Sequence, residues 1–115
     1  MPFIKVRTNV DIDKSQVNKL MTELSQLLAS ETGKPERYVM VEVQGSKDMM
    51  FGGSVEPLAY LECKSIGLST AQVKLLSPAI SKLIGGELQV NSERVYIEFS
   101  NCSAEFWGWN GSTFG

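Results

Sequence analysis

The clearest structural signal in this chain is the segment DKSQVNKLMTELSQLLASETG, residues 13–33. Asp13 and Gln16 have the spacing of a capping box, in which each side chain accepts a hydrogen bond from the backbone N–H of the other residue. Apolar residues then recur every three or four positions, so they lie on one face of a helix. Gly33 supplies the left-handed conformation that commonly ends a helix. The segment therefore predicts an amphipathic helix between Asp13 and Gly33.

Predicted strands lie on both sides of this helix, at 3–10 and 38–43. The first of them alternates apolar and polar residues, which is typical of a strand with one buried face. The second half repeats the order, with a strand at 58–66, a capping box from Ser69 to Gln72, a second helix and a strand at 95–99.

Shared letters indicate that the second half duplicates the first. Gln16-Val17 recurs as Gln72-Val73 at an offset of 56 residues, and Glu36-Arg37 recurs as Glu93-Arg94 at an offset of 57. Nearly equal offsets at both ends of a unit are the signature of an internal repeat. Pro78 interrupts the second helical pattern because it removes a backbone hydrogen bond. We expect one kinked helix there rather than two short ones.

Two strand–helix–strand units predict a ferredoxin-like α+β sandwich, with a four-stranded sheet and both helices on one face. We expect residues 1–115 to form a single domain, since the chain is too short for two cores. In the first strand, either Phe3, Lys5 and Arg7 or Ile4, Val6 and Thr8 face away from the helices. An open, partly apolar sheet face favours oligomerisation.

Composition narrows the range of functions. Net charge is −2 and no basic run occurs, so we expect neither a nucleic-acid nor an anionic-membrane partner. The chain has no His, which removes the commonest general base and a common metal ligand, and we expect no metal or other cofactor.

Cys63 and Cys102 read better as reduced thiols than as a disulfide. The start of the chain lacks a signal-peptide pattern, so the expected location is cytoplasmic, with non-classical export as the alternative.

Pro2 is the sharpest chemical feature of the sequence. Removal of Met1 would leave a secondary amine at the beginning of a strand. A free α-amino group titrates near ~7.7–8.0, and burial or a nearby cation lowers that pKa because both disfavour the charged form. Such an amine suits abstraction of a proton next to a carbonyl. An ordinary proline with no chemical role is the alternative.

Seven short islands, together with Pro2, resemble the macrophage migration inhibitory factor family. They run in order along almost the whole chain: TNV at 8–10, TGKP at 32–35, FGGS at 51–54, EP at 56–57, SIG at 65–67, RVYI at 94–97 and GWNGSTF at 108–114. The resemblance implies a homotrimer whose three sheets face inward. It also implies a cofactor-independent tautomerase site at each subunit boundary.

The resemblance assigns a role to each matching residue. Pro2 matches the catalytic base, and Lys34 matches the cation that holds the substrate carboxylate and the enolate oxygen. Ser65 and Ile66 match the segment whose backbone N–H helps to bind that oxygen or carboxylate. The remaining matches are the neighbouring subunit's pocket tyrosine, Tyr96, the aromatic walls, Trp109 and Phe114, and a rim residue, Tyr38. The alternatives are a solvated helix-end cation for Lys34 and plain packing for Trp109 and Phe114.

Four positions depart from the family pattern. Leu58 and Leu61 occupy the positions of a Cys-x-x-Cys found in the animal cytokines, so we expect no thiol–disulfide activity. Glu98 replaces an Asn associated with hydroxylated substrates, and it would bring a negative charge to the mouth of an anion pocket unless Arg37 or another cation neutralises it. Trp107 is larger than the usual residue at its position.

The sequence thus favours an isomerase that tautomerises an arylpyruvate such as phenylpyruvate. A second hypothesis is a cytokine-like interaction protein in which the tautomerase site is vestigial, although no feature of the sequence points to a protein receptor. A third, a ferredoxin-like regulatory module, accounts for the repeat and leaves Pro2 and Lys34 unexplained.

Overall fold

Two strand–helix–strand units form the body of the computed structural model, which describes residues 1–115. The first unit consists of β1 (Phe3–Thr8), α1 (Lys14–Thr32) and β2 (Met40–Gln44). The second consists of β3 (Ala59–Ile66), α2 (Thr70–Leu88) and β4 (Val95–Cys102). A small C-terminal hairpin of β5 (Gly108–Trp109) and β6 (Ser112–Thr113) follows. Short 3₁₀ helices span Glu36–Tyr38, Ser92–Arg94 and Ala104–Phe106.

The four long strands form one mixed sheet in the order β2-β1-β3-β4. Within each unit the two strands are parallel, and the units join where β1 runs antiparallel to β3. Phe3 of β1 lies opposite both Met40 and Lys64. The predicted α+β class, the four-stranded sheet and the duplicated units are therefore confirmed.

Both predicted capping boxes form. Asp13 Oδ1 accepts a hydrogen bond from the Gln16 N–H at 2.8 Å, and Gln16 Oε1 accepts one from the Asp13 N–H at 3.1 Å. Ser69 and Gln72 make the equivalent pair at 3.1 and 3.0 Å. Gly33 ends α1 at φ 70°, in the left-handed region. Local chemistry thus sets three of the four helix ends that frame the sheet.

Ser69→Ala should lower the free energy of unfolding by about 1 kcal/mol, because the N–H of Gln72 loses its acceptor. The measurement is urea denaturation at one protein concentration. Thr70→Ala is the matched control, since Thr70 is exposed at the next position and its side chain makes no hydrogen bond. Equal midpoints for the two variants would show that this cap contributes nothing to stability.

Some predicted boundaries were wrong. β1 ends at Thr8 rather than at residue 10. The Thr8 hydroxyl donates a hydrogen bond to the Leu58 carbonyl at 2.6 Å and accepts one from the Val10 N–H at 3.1 Å, and these two bonds turn the chain. β4 continues to Cys102 because it pairs with β3 along all eight residues. Tyr38 lies in a 3₁₀ helix, so β2 begins two residues later than expected. α2 is a single helix through Pro78, as expected.

The hydrophobic core lies between the helices and one face of the sheet. Ile4 and Val6 face the helices and are 0% exposed, which decides the alternative left open by the sequence. The other core side chains with 0% exposure are Leu20, Leu24, Leu28, Leu61, Cys63, Leu76, Ile80 and Ile84. Burial raises the pKa of the Cys63 thiol to about 11, and both cysteines are free. None of the helices combines the length and apolar character needed to cross a membrane.

The opposite face of the sheet is more polar than the sequence analysis expected. Its middle row across the four strands is Glu42, Lys5, Glu62 and Glu98. Apolar side chains lie at two opposite corners, where Phe3 and Met40 form one group and Tyr60 and Tyr96 form the other. The exposed apolar surface of this face is therefore divided between its two ends.

Candidate functional site

A cavity of about 380 Å³ opens at the end of the sheet where β1 begins. Its wall comes from five parts of the chain: Met1, Pro2, Phe3, Arg37, Tyr38, Val39, Met40, Lys64, Trp107, Gly108, Trp109 and Phe114. Eight of these twelve residues are hydrophobic, and none is Asp or Glu. A larger groove of about 490 Å³ lies between α1 and α2 and contains none of the candidate residues. The cavity beside Pro2 is therefore the candidate site.

Pro2 forms the floor of this cavity and is buried. Its carbonyl accepts a hydrogen bond from the Met40 N–H at 3.0 Å, which holds it against the start of β2. The β1–β3 register places it one position beyond the Phe3–Lys64 pair, beside Ser65. The nitrogen of Pro2 is thus carried by a backbone that strands on both sides hold in place.

Lys34 stands beside the cavity rather than in its wall. It follows Gly33 at the end of α1, its side chain is half-buried, and its N–H donates to Thr32 Oγ1 at 3.3 Å. Burial, together with the positive charge of Lys34, lowers the pKa of the Met1 ammonium. The Lys34 charge therefore acts on the end of the chain that adjoins Pro2.

Three aromatic rings form one wall of the cavity. Tyr38 meets the Trp109 ring edge-on, with centroids 5.4 Å apart, and meets the Phe114 ring edge-on at 5.9 Å. Trp109 and Phe114 are stacked at 5.5 Å. Such arrangements are the favoured geometries of aromatic pairs. The predicted wall residues and the predicted rim residue therefore lie together, beside Pro2.

The C-terminal hairpin presents two of these rings. Asn110 and Gly111 form its two-residue turn with φ of 52° and 78°, conformations that Asn and Gly adopt more readily than other residues. The Phe114 N–H donates to the Trp107 carbonyl at 3.2 Å, which closes the hairpin. A tight turn thus brings Trp109 and Phe114 to the same side of the cavity.

Ser65 and Ile66 lie at the end of β3, next to the cavity and outside its wall. Ser65 is 1% exposed, and its hydroxyl is the one buried side-chain polar group without a hydrogen-bond partner. Ile66 is half-buried and pairs with Cys102 on β4. The segment therefore lies beside Pro2 without contributing to the cavity wall.

Tyr96 and Glu98 lie far from Pro2 within one chain. They project from the open face of β4, opposite Tyr60 and Glu62, and the Tyr96 ring lies 4.6 Å from that of Phe51. Tyr96 is five residues along β4 from the level of Pro2, which corresponds to about 16 Å at the rise of a strand. A single subunit therefore does not bring these two residues to the cavity.

Arg37 and Lys64 are cavity residues that the sequence analysis did not assign to substrate binding. Arg37 places its guanidinium over the Tyr38 ring, 4.8 Å from the centroid. Lys64 enters the wall because its position on β3 lies opposite Phe3. The alternation of β3 indicated that Lys64 shares a face with Glu62, but only the pairing of strands places it at this end.

Comparisons with known proteins agree on one family. The family model described as macrophage migration inhibitory factor matches residues 1–115. The macrophage migration inhibitory factor of Meriones unguiculatus is 40% identical over 116 residues, covering 99% of both chains. The homolog from Brugia malayi is 37% identical over the full length of both. The solved structure of a homologue from Prochlorococcus marinus is 40% identical with a TM-score of 0.93, covering 98% of this chain and 99% of that one.

Proposed function

Because the chain belongs to the macrophage migration inhibitory factor family, within the tautomerase superfamily, we propose that it is a keto–enol tautomerase of arylpyruvates such as phenylpyruvate. The observation that carries the proposal is the position of Pro2, which is buried at the floor of a cavity with aromatic walls and cationic groups. Such a cavity suits a flat aromatic body that ends in a carboxylate.

The proposed base is the Pro2 amine, freed by removal of Met1. It takes a proton from C3 of the arylpyruvate, the methylene carbon between the ring and the 2-oxo group. The electrons of the C3–H bond move to the carbonyl oxygen, which becomes an enolate. Water then protonates the enolate to the enol, and the Pro2 ammonium releases its proton to water. The protonated amine returns a proton to carbon in the reverse direction. No cofactor is required, since a carbonyl next to a carboxylate already acidifies C3.

Lys34 is the proposed partner of the developing negative charge. An ammonium near the amine attracts the substrate carboxylate and strengthens its contact with the oxygen as the enolate forms. The backbone N–H of Ile66 is proposed to donate to the same group, and the Ser65–Ile66 segment borders the cavity as this role requires. Tyr38, Trp109 and Phe114 would hold the aryl ring by stacking and edge-on contacts.

The proposed assembly is a homotrimer, in which Tyr96 and Glu98 of one subunit complete the cavity of the next. Tyr96 and Met40 are each 65% exposed and lie on the two opposite edge strands of the sheet. An interface that joins opposite edges is head-to-tail, and it closes into a ring when the rotation allows. This arrangement would cover both apolar corners of the open sheet face.

Sedimentation equilibrium should give a mass of three chains at micromolar concentration. Tyr96→Asp should weaken the assembly, because it places a charge in the apolar corner that the interface would bury. Lys74→Asp, an exposed substitution on α2, serves as the control and should leave the mass unchanged. A stable wild-type monomer at that concentration would contradict the trimer, and Tyr96 would then have no role in catalysis.

The direct test of the proposed function is a phenylpyruvate tautomerase assay. Purified wild-type protein is mixed with phenylpyruvate, and the conversion is followed by the ultraviolet absorbance of the enol. Intact mass first establishes that Met1 has been removed. An inactive, correctly trimmed protein would refute the proposal.

A further inference from the structure

The cavity beside Pro2 carries more positive charge than a monocarboxylate needs. Arg37 and Lys64 lie in its wall, Lys34 stands beside it, and no acidic residue lines it. The chain as a whole has a net charge of −2. The positive charge at this cavity is therefore a property of the site itself, since the protein as a whole is negatively charged.

Arg37 has no carboxylate partner. None lies within 4.0 Å of its guanidinium, and the carboxylate of its neighbour Glu36 is engaged elsewhere, since Glu36 Oε2 accepts from the Ser25 hydroxyl at 2.8 Å. The Tyr38 ring supports the guanidinium from below at 4.8 Å. A stacked guanidinium keeps its in-plane N–H donors free for a bidentate acceptor.

Lys64 is also largely available. Its one ionic contact is with Glu62, at 3.8 Å, and both side chains are partly exposed. An exposed ion pair near the distance limit contributes little, so a ligand could displace it at small cost. The Lys64 ammonium is therefore a second cation of the cavity wall that a ligand can engage.

Lys34 and Arg37 have different neighbours in the site, and Lys64 of β3 lies opposite Phe3. Lys34 acts on the terminal amine, where the reacting end of the substrate belongs. Arg37 lies over Tyr38, whose edge meets Trp109 and Phe114 in the aromatic wall. A ligand whose ring lies along that wall would therefore have Arg37 as a neighbour.

We propose that the preferred substrate is an aryl dicarboxylate, whose second carboxylate binds Arg37 with help from Lys64. This inference rests on the proposed function for the location of the reacting end. A second carboxylate would give the planar Arg37 guanidinium a bidentate acceptor at the aromatic wall. Phenylpyruvate itself would present only a C–H edge there. The competing explanation is that these cations neutralise Glu98 of an adjacent subunit.

Binding can be measured without turnover. Cinnamate and 4-carboxycinnamate are planar, cannot tautomerise and differ only in the second carboxylate. The two tryptophans, Trp107 and Trp109, both line the cavity and report binding by fluorescence. We expect trimmed wild-type protein to bind 4-carboxycinnamate about tenfold more tightly than cinnamate at low salt. The preference should shrink at high salt, because salt screens exposed charges.

Variants then assign the preference to residues. Arg37→Gln should remove most of it and Lys64→Gln part of it, whereas Arg37→Lys should keep a portion because the charge remains. Lys82→Gln, an exposed substitution on α2, is the matched control and should preserve it. Circular dichroism establishes that each variant is folded.

Three results would overturn the inference. They are equal affinities of wild type for the two cinnamates, failure to bind either, and an Arg37→Gln variant that loses affinity for both by the same factor. The last result would support neutralisation of Glu98, and Glu98→Gln would then raise the affinity for both ligands alike. Because the readout is binding, a protein inactive on phenylpyruvate that still prefers 4-carboxycinnamate would refute the proposed reaction and leave the carboxylate site at Arg37 standing.

Discussion

Blocking the nitrogen of Pro2 should abolish tautomerase activity. Insertion of one alanine between Met1 and Pro2 leaves that nitrogen in an amide bond even after Met1 is removed. An amide nitrogen has no available lone pair, so it cannot accept the proton of C3. A positioned general base contributes about 10²–10⁴-fold to a rate, and we expect kcat/KM for phenylpyruvate to fall by at least that factor.

Two controls separate chemistry from structure in this experiment. Pro2→Gly keeps a free primary amine and should retain part of the activity. Pro2 is buried, so the insertion must also be shown to leave the fold intact, by circular dichroism and by sedimentation. Intact mass gives the N-terminal residue of every sample. If the alanine-insertion protein is as active as the trimmed wild type, Pro2 is not the base.

Removal of the Lys34 charge should change both the rate and its pH dependence. Burial first, and Lys34 second, lower the pKa of the Met1 ammonium, and the same surroundings would act on a free Pro2 amine. A lowered pKa leaves more of the amine unprotonated at neutral pH, and activity falls as pH decreases through that pKa. Lys34→Ala removes one of the two causes, so the acid limb of the kcat/KM profile should move to higher pH.

Lys34→Ala should also lower kcat/KM by about 10- to 100-fold, since a hydrogen bond to a charged group is worth about 1.5–3 kcal/mol. Lys34→Arg keeps the charge and should keep the position of the acid limb, even if its different shape costs some rate. Lys14→Ala, exposed at the start of α1, should change neither quantity. An acid limb that stays in place in Lys34→Ala would show that Lys34 does not act on the base.

Local signals in the sequence determined the secondary-structure elements and the class of fold. Asp13 and Ser69 with their Gln partners, and Gly33, set helix ends through contacts within a few residues, so no tertiary information was needed to place them. The alternation of β1 likewise showed that one face is buried. It did not show which face, because that depends on where the helices pack.

The candidate site depended more on the tertiary structure. Family resemblance singled out Pro2, Tyr38, Trp109 and Phe114, and the fold brings these four together. Their meeting requires the β1–β2 pairing and the hairpin turn at residues 110–111. It also requires the hairpin to pack against Tyr38, which lies more than seventy residues earlier in the chain.

Only the tertiary structure shows that Arg37 and Lys64 lie in the cavity wall, although the sequence had indicated Arg37 as a possible partner of Glu98. Nothing in their local sequence separates them from other surface cations, and strand register and a 3₁₀ helix place them in the cavity wall. Tyr96 lies outside the cavity even in the folded chain, because its strand holds it about 16 Å from the position of Pro2 along the sheet. Hydrogen bonds and periodicity along the chain thus determine the elements, whereas the charge and walls of the cavity arise from pairing between distant strands.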